Sequence, residues 1–399
     1  MYNNNGVDCV DFRRQRMSVG TKMIKEKNWP IIAFFAVTTA VALIGGPWYV
    51  HRYGISLGEG VLALFFVLVT GLSITVGYHR LFAHNTFKAN KFVQFLALFF
   101  GAAAFEQSAL TWSSGHRDHH RYVDTERDPY SIKKGFWYAH IGWMTLWKQQ
   151  PDYNNVKDLL KNRLLMHQHN YYVLWGVTAG VLFPVFLGAL MGHALGAFII
   201  AVCIRLTFVY HATFCINSVC HTFGKATYDI HASARDNWFT AVLTNGEGYH
   251  NFHHRFSTDY RNGVRWYHWD PSKWMIALLG RLGWAWDLQK VSKFSILEAK
   301  LAAENQVMHD RLMEIKDHAH VVGMREKLQS QYVLLTQKLS TWKLSVESHQ
   351  VLLSKQISSY SDELKAAAIE RMEKAKSDFQ IARRQWQELL TQELVLAQI

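Results

Sequence analysis

The chain has 399 residues, a formal net charge of +12, and a composition that is 49% hydrophobic and 14% aromatic. That basic balance fits contact with an anionic membrane surface and argues against nucleic-acid binding, because the aromatics lie within apolar runs and not on a basic soluble face. The four cysteines (Cys9, Cys203, Cys215, Cys220) show neither a CxxC pair nor a paired spacing, which excludes a disulfide framework and fits reduced thiols.

Residues 1–28 are polar, with Arg13, Arg14, Arg16, Lys22, Lys25 and Lys27 ahead of the first apolar run and no small-residue cleavage site of a signal peptide. The runs at 29–50 and 57–78 are each long enough to cross a hydrocarbon core of roughly 30 Å, with His51 to Ser56 as the turn. The basic residues before the first span predict that both ends of this hairpin are cytoplasmic. A mixed segment follows over 79–170. Its apolar stretch 92–105 is interrupted by Glu106 and Gln107, and its aromatic stretch 136–147 is too short to span. A second hairpin is predicted from spans at 171–190 and 194–214, turning at Gly192, with Pro184 bending the third span and Arg205 facing the protein interior of the fourth. Residues 222–290 return to the cytoplasmic face. From 291 to 399 the composition turns to Lys, Glu, Gln and Leu with apolar residues at helical spacing, which predicts a helical or coiled-coil tail broken near Gly323. The fold expected is an all-α integral membrane protein, with four transmembrane helices in two hairpins and a cytosolic helical cap. Its parts are an N-terminal segment (1–28), a membrane domain (29–290) and the tail (291–399).

Of 21 histidines, nine form a pattern. HRLFAH supplies His79 and His84, HRDHH supplies His116, His119 and His120, and HNFHH supplies His250, His253 and His254. His221 follows the fourth span, four residues beyond Asn217. On a helix, positions i, i+3 and i+4 share one face, so each HxxHH aims three imidazoles at a common centre. His79 and His84, five apart, either serve different metals or require the helix to loosen as it leaves the membrane. Imidazole-rich sites suit iron, zinc, copper or nickel, and nine ligands exceed two zinc sites. Isolated histidines such as His140, His167, His169, His193, His211 and His268 read as ordinary packed or surface residues.

These boxes, with NSVCH, DTERDPYS (124–131) and GEGYHNFHH, resemble the membrane fatty acyl desaturases of the acyl-CoA Δ9, stearoyl-CoA desaturase-like type, over about 29–290. The resemblance implies a di-iron centre (Fe2+/Fe3+) held by the nine histidines, with Asn217 reaching the second iron through a water and Trp112 lining an acyl tunnel. It implies a cis double bond, at Δ9, placed in a saturated acyl-CoA with O2 and two external electrons. Ser114 and Gly115 stand where the animal acyl-CoA enzymes carry an Arg-Asp pair. A basic pair after the aromatic segment is reduced to Trp147 and Lys148, and Phe214 replaces a tryptophan. Lys148, Lys133, Lys134 and Arg121 are candidate cations for an anionic head group, the alternative being a solvated or lipid-facing role. An acyl-lipid desaturase acting on phospholipid-bound chains, and a related di-iron hydroxylase or alkane monooxygenase, are the alternatives. With no HPGG haem-domain signature and no GxGxxG fingerprint, the electrons are expected from a separate donor: a cytochrome b5-like protein, a ferredoxin or a reductase. Phe82, Phe105, Trp238, Phe239, Trp266 and Trp269 are further candidate tunnel aromatics. The remaining partner expected is membrane lipid, and no nucleic acid.

Overall fold

A computed structural model describes residues 21–315, 318–354 and 362–396; Cys9 and the first three arginines lie outside them. Among the described residues, four helices are long and apolar enough to cross a membrane: α1 (Trp29–Tyr53), α2 (Leu57–Ala83), α5 (Tyr172–Leu190) and α6 (Ala194–Ser218), separated in sequence by the shorter α3 (Lys91–Ala102) and α4 (Ala109–Tyr122). Their starts are written locally. Pro30 sits in the first turn of α1, where its missing N–H costs nothing. Ser56 and Glu59 close a reciprocal capping box on α2. The α1–α2 turn passes through Gly54 at φ +74° and the α5–α6 turn through Gly192 at φ +77°, both in the left-handed region that favours glycine.

The spanning helices are not regular. Widened i→i+5 turns occupy Val41–Gly45, Ser73–Ala83, Thr178–Leu182 and Ala197–Ile204. Such turns release backbone groups that a membrane interior cannot hydrate, so they persist where protein groups satisfy them. Arg205 does this for one of them. Its buried guanidinium donates to the carbonyls of Gly180 (2.9 Å) in α5 and Ala103 (2.7 Å) after α3, and to the Thr70 hydroxyl (3.3 Å) in α2. One charge thus pins three elements to α6.

The helices α2, α5 and α6 run about a turn beyond or start beside the apolar runs that announce them, and the polar extension of α2 carries the first histidine box. Helix α3 is too short to span and packs on α2: a Cβ on Gly77 would lie 2.6 Å from that of Ala97. Helices α7 (His250–Arg255) and α8 (Pro271–Arg281) complete the polar end of this unit. Two small antiparallel pairings tie its strands: β1 (Lys22–Lys25) with β3 (Trp147–Gln150), and β2 (Lys88–Ala89) with β4 (Ala285–Trp286).

The second unit, from Val291 on, is a set of long helices: α9 (Lys293–Glu314), α10 (His318–Ser354) and α11 (Asp362–Leu396). They share an apolar seam of Leu301, Leu335, Leu339, Phe379 and the fully buried Trp386. The break expected near Gly323 is corrected. Gly323 lies inside α10, and the interruption falls earlier, after Ile315. A single glycine costs a helix about 1 kcal/mol, which a 37-residue helix packed on two neighbours absorbs.

Candidate metal centre

The nine histidines of the sequence pattern gather at one end of the four spans in two groups. His79, His84, His116, His120 and His253 form one, and His119, His221, His250 and His254 the other; within each, the ligating nitrogens lie within 4.8 Å of one another. Each HxxHH triplet is therefore divided between two centres, a correction to the single target that its spacing suggested. The i, i+4 pairs His116/His120 and His250/His254 each stay together, whereas the i+3 member, on the opposite flank of the arc of roughly 100°, crosses to the other group. His79 and His84 meet because α2 loosens. The widened turn at its end places the His84 N–H on the His79 carbonyl (3.0 Å), an i→i+5 bond that brings residues five apart onto one face.

The rings point their Nε2 atoms inward. The separations are 3.0 Å for His79–His253, 2.8 Å for His84–His116, 2.8 Å for His120–His253, 3.0 Å for His221–His250, 3.0 Å for His250–His254 and 3.3 Å for His119–His254. The outer nitrogens face acceptors: His79 Nδ1 lies 2.9 Å from Glu247, His119 Nδ1 2.9 Å from Asp128, and His221 Nδ1 2.6 Å from the Ser233 hydroxyl. An Nδ1–H donated outward leaves a bare Nε2 lone pair inward, so neighbouring lone pairs confront each other at about 3 Å. That arrangement repels unless a cation sits among them, and it is the spacing two ligands at roughly 2.1 Å from one ion subtend at a right angle. The residues fit a resident metal.

Electrostatics agree. Burial first, and neighbouring imidazoles second, push His84, His116, His120, His221, His253 and His254 well below the ordinary imidazole range, and His250 down to about 3. Neutral imidazoles are the ligating form. Burial would raise Glu247, but the facing His79 and the Arg80 guanidinium hold it down at about 2. Arg80 is itself clamped, donating to Glu247 (2.9 Å), to the Tyr260 carbonyl (2.8 Å) and toward Asp270 (3.0 Å), while Asn262 donates to Glu247 at 2.7 Å.

A cavity of about 280 Å³ opens against these groups. His79, His116, His250 and Asn217 form its polar end, and Phe34, Val67, Leu68 and Phe208 line its apolar reach between the spans. Trp112 stands in the wall and stacks on His116 (centroids 4.8 Å apart, planes 22°). Phe105 and Trp269 also line it; Phe82, Trp238, Phe239 and Trp266 do not, Phe82 being core and Trp266 86% exposed. Lys148 lies outside the wall, in β3, ion-paired with Glu26, although its neighbour Gln149 reaches the cavity. Ser114 is fully buried and donates to the Asp152 carbonyl (3.1 Å) and Asn155 (3.0 Å), so its hydroxyl is committed to packing the wall.

Sequence reasoning did not single out Glu247, Asp128, Arg80 or Ser233. A signal existed for two of them: Glu247 stands in GEGYHNFHH, three residues before His250, and Asp128 in DTERDPYS, nine after His119.

Residues 59–287 match the family model described as fatty acid desaturase. The chain is 40% identical over 275 residues to acyl-CoA desaturase 1 of Saccharomyces cerevisiae, covering 67% of this chain and 54% of that one. It is 31% identical over 281 residues to the sn-1 stearoyl-lipid 9-desaturase of Anabaena variabilis (69% and 99%), and 30% identical over 288 residues to mouse stearoyl-CoA desaturase 4 (68% and 78%). It spans about half the length of the fungal relatives it matches, the Schizosaccharomyces pombe one at 48%.

Proposed function

The chain belongs to the fatty acid desaturase family, and from that premise we propose that it inserts a cis double bond, at Δ9, into a saturated acyl chain carried on CoA. The observation that carries this reading is the apolar cavity ending directly on two groups of inward-facing imidazoles. An unactivated methylene has no proton that a side chain can remove, so acid–base chemistry alone is insufficient. Two irons would be held by the five- and four-histidine groups, with Asn217 lining the same cavity, and when bound with O2 would supply the one-electron oxidation that the C–H bond demands. Five imidazoles in one group also exceed the four ligands of a structural zinc site. The reaction balances as –CH2–CH2– + O2 + 2e– + 2H+ giving –CH=CH– + 2H2O.

The protein's own part is placement. Trp112 and Phe105 confine the chain beside His116, and misplacement by about 1 Å costs on the order of 100-fold in rate. The apolar wall excludes water from the reacting carbons. The electrons come from a separate protein donor at the face carrying the histidines, which the basic residues ahead of α1 make cytoplasmic.

The carrier has a second reading. Curated relatives include acyl-CoA and acyl-lipid enzymes alike, and Lys148, a candidate cation for a head group, is ion-paired with Glu26 and lies outside the cavity wall. A phospholipid-borne chain is therefore the alternative. Gas chromatography of fatty acid methyl esters from cells expressing the protein tests the reaction. A new Δ9 monoene is expected; an alcohol, or no new product from iron-loaded protein, overturns the reading. Purified protein given stearoyl-CoA or stearoyl-phospholipid separates the carriers.

A further inference from the structure

Glu106 is a partly buried carboxyl in the cavity wall that belongs to neither histidine group. It occupies the turn between α3 and α4, flanked by Phe105 (φ +56°) and Gln107 (φ +76°), two non-glycine residues in the left-handed region. Such conformations cost on the order of 1 kcal/mol or more each and persist where surroundings impose them. Here they aim the carboxyl inward. One oxygen accepts from the Thr213 hydroxyl (3.0 Å), the other from the Trp112 indole N–H (3.3 Å). Thr213 stands one helical turn before Asn217 on α6, and both face the same cavity as His116 and His250. The titratable groups facing Glu106 are phenols: Tyr78 from α2, Tyr172 from α5 and Tyr210 from α6. Burial pushes the Glu106 carboxyl up to about 7, against the opposing hydrogen bonds from Thr213 and Trp112. A carboxyl displaced upward keeps its proton closer to neutral pH than an ordinary one does.

We propose that Glu106 supplies a proton to the oxygen being reduced, passing it through the Thr213 hydroxyl into the cavity beside Asn217. This rests on the desaturase reading, whose balance consumes two protons per double bond. Reducing O2 to two waters takes four electrons: two from the protein donor and two from the breaking C–H bonds, which also provide two of the four hydrogens. Glu106 provides one of the other two, forming an O–H bond as its own O–H bond breaks. With Glu106 protonated, the bond seen from Thr213 reverses: the Thr213 hydroxyl accepts this proton as it gives up its own, and the carboxylate is reprotonated from solvent. A carboxyl that titrates near neutrality is matched to such transfer.

The test compares iron-loaded, full-length wild type with Glu106→Gln, which keeps the shape and one acceptor oxygen, for the Thr213 hydroxyl, but carries no transferable acid proton. Wild-type kcat is expected to fall as pH rises through about 7, because the protonated form is the donor. In Glu106→Gln, kcat is expected to be lower by on the order of 100-fold and flat over that range, with KM unchanged. Thr213→Val should behave likewise and Thr213→Ser should restore the rate. Independently of turnover, infrared difference spectra should show a protonated carboxyl band that fades as pH rises through neutrality and is missing from Glu106→Gln. Wild-type rate and pH profile in Glu106→Gln overturn the proposal while leaving the desaturase reading intact. So does the absence of the band at pH 6. Iron-loaded wild type that makes no alkene overturns both. Should Glu106→Gln fail to fold, the Thr213 pair and the wild-type spectra decide the matter.

Discussion

At the scale of single residues, the histidines are legible and their supports are not. Repeated HxxHH is too specific to be packing, so the ligand candidates stand out in the sequence. Which imidazole joins which group depends on ring directions from three helices and the turn after α6, and no local spacing encodes that. The acids are harder still, since Asp128 becomes a partner of His119 only when the loop after α4 folds back (2.9 Å). An acceptor on Nδ1 fixes tautomer and ring orientation and raises ligand basicity, and losing one typically costs 10- to 100-fold in metal affinity. Asp128→Asn is therefore expected to lose iron from its centre on chelator challenge at least about 10-fold faster in concentration terms than wild type. Lys148→Ala, outside the wall, should hold iron as wild type does. Equal iron per protein in all three after graded chelation would refute this support role for Asp128.

At the scale of elements, the four spans are readable because twenty apolar residues in a row have few other uses. Their ends are not, because α2 and α6 continue past the apolar runs, α2 as buried helix, to deliver His79 and Asn217. The widened turns escape a 3.6-residue template altogether. In the second unit, the seam was visible as 3–4 spacing, but its pairing was not. Glu304 on α9 accepts from Arg383 and Trp386 on α11, at 2.7 Å and 3.0 Å. Burial would raise this carboxyl; the Arg383 hydrogen bonds and charge, with Trp386, hold it below the ordinary range. A depressed folded-state pKa contributes stability that is present above the unfolded value of about 4.5 and lost as pH falls through the lower, folded one. Glu304→Gln should cost these helices about 2 kcal/mol at pH 7, read as faster hydrogen exchange in α9 and α11 of the full-length protein. The difference from wild type should shrink below pH 4. Unchanged exchange at pH 7 would show that the pair contributes nothing.

At the scale of the membrane-bound unit, one requirement organises everything: both histidine groups must lie on the same side of the bilayer. Two hairpins meet it automatically. Chain entering and leaving on one face returns the ends of α2 and α6 to that face, where His79, His84 and His221 wait for the triplets of α4 and α7. The hairpin tips then lie opposite, and their residues Ile55 and Met191 are exposed. In the proposed orientation the basic residues ahead of α1, Lys22, Lys25 and Lys27 among them, lie with the histidines on the cytoplasmic side. In a variant whose native cysteines are replaced, Ile55→Cys and Met191→Cys are expected to react with an impermeant maleimide only from the non-cytoplasmic side. Lys161→Cys, in the exposed segment between α4 and α5, should react only from the cytoplasm. Labelling of Ile55→Cys and Lys161→Cys from the same side would break the hairpin arrangement and strand the two histidine groups on opposite faces. Labelling of all three with sides exchanged would keep the centre whole but move it away from a cytoplasmic electron donor.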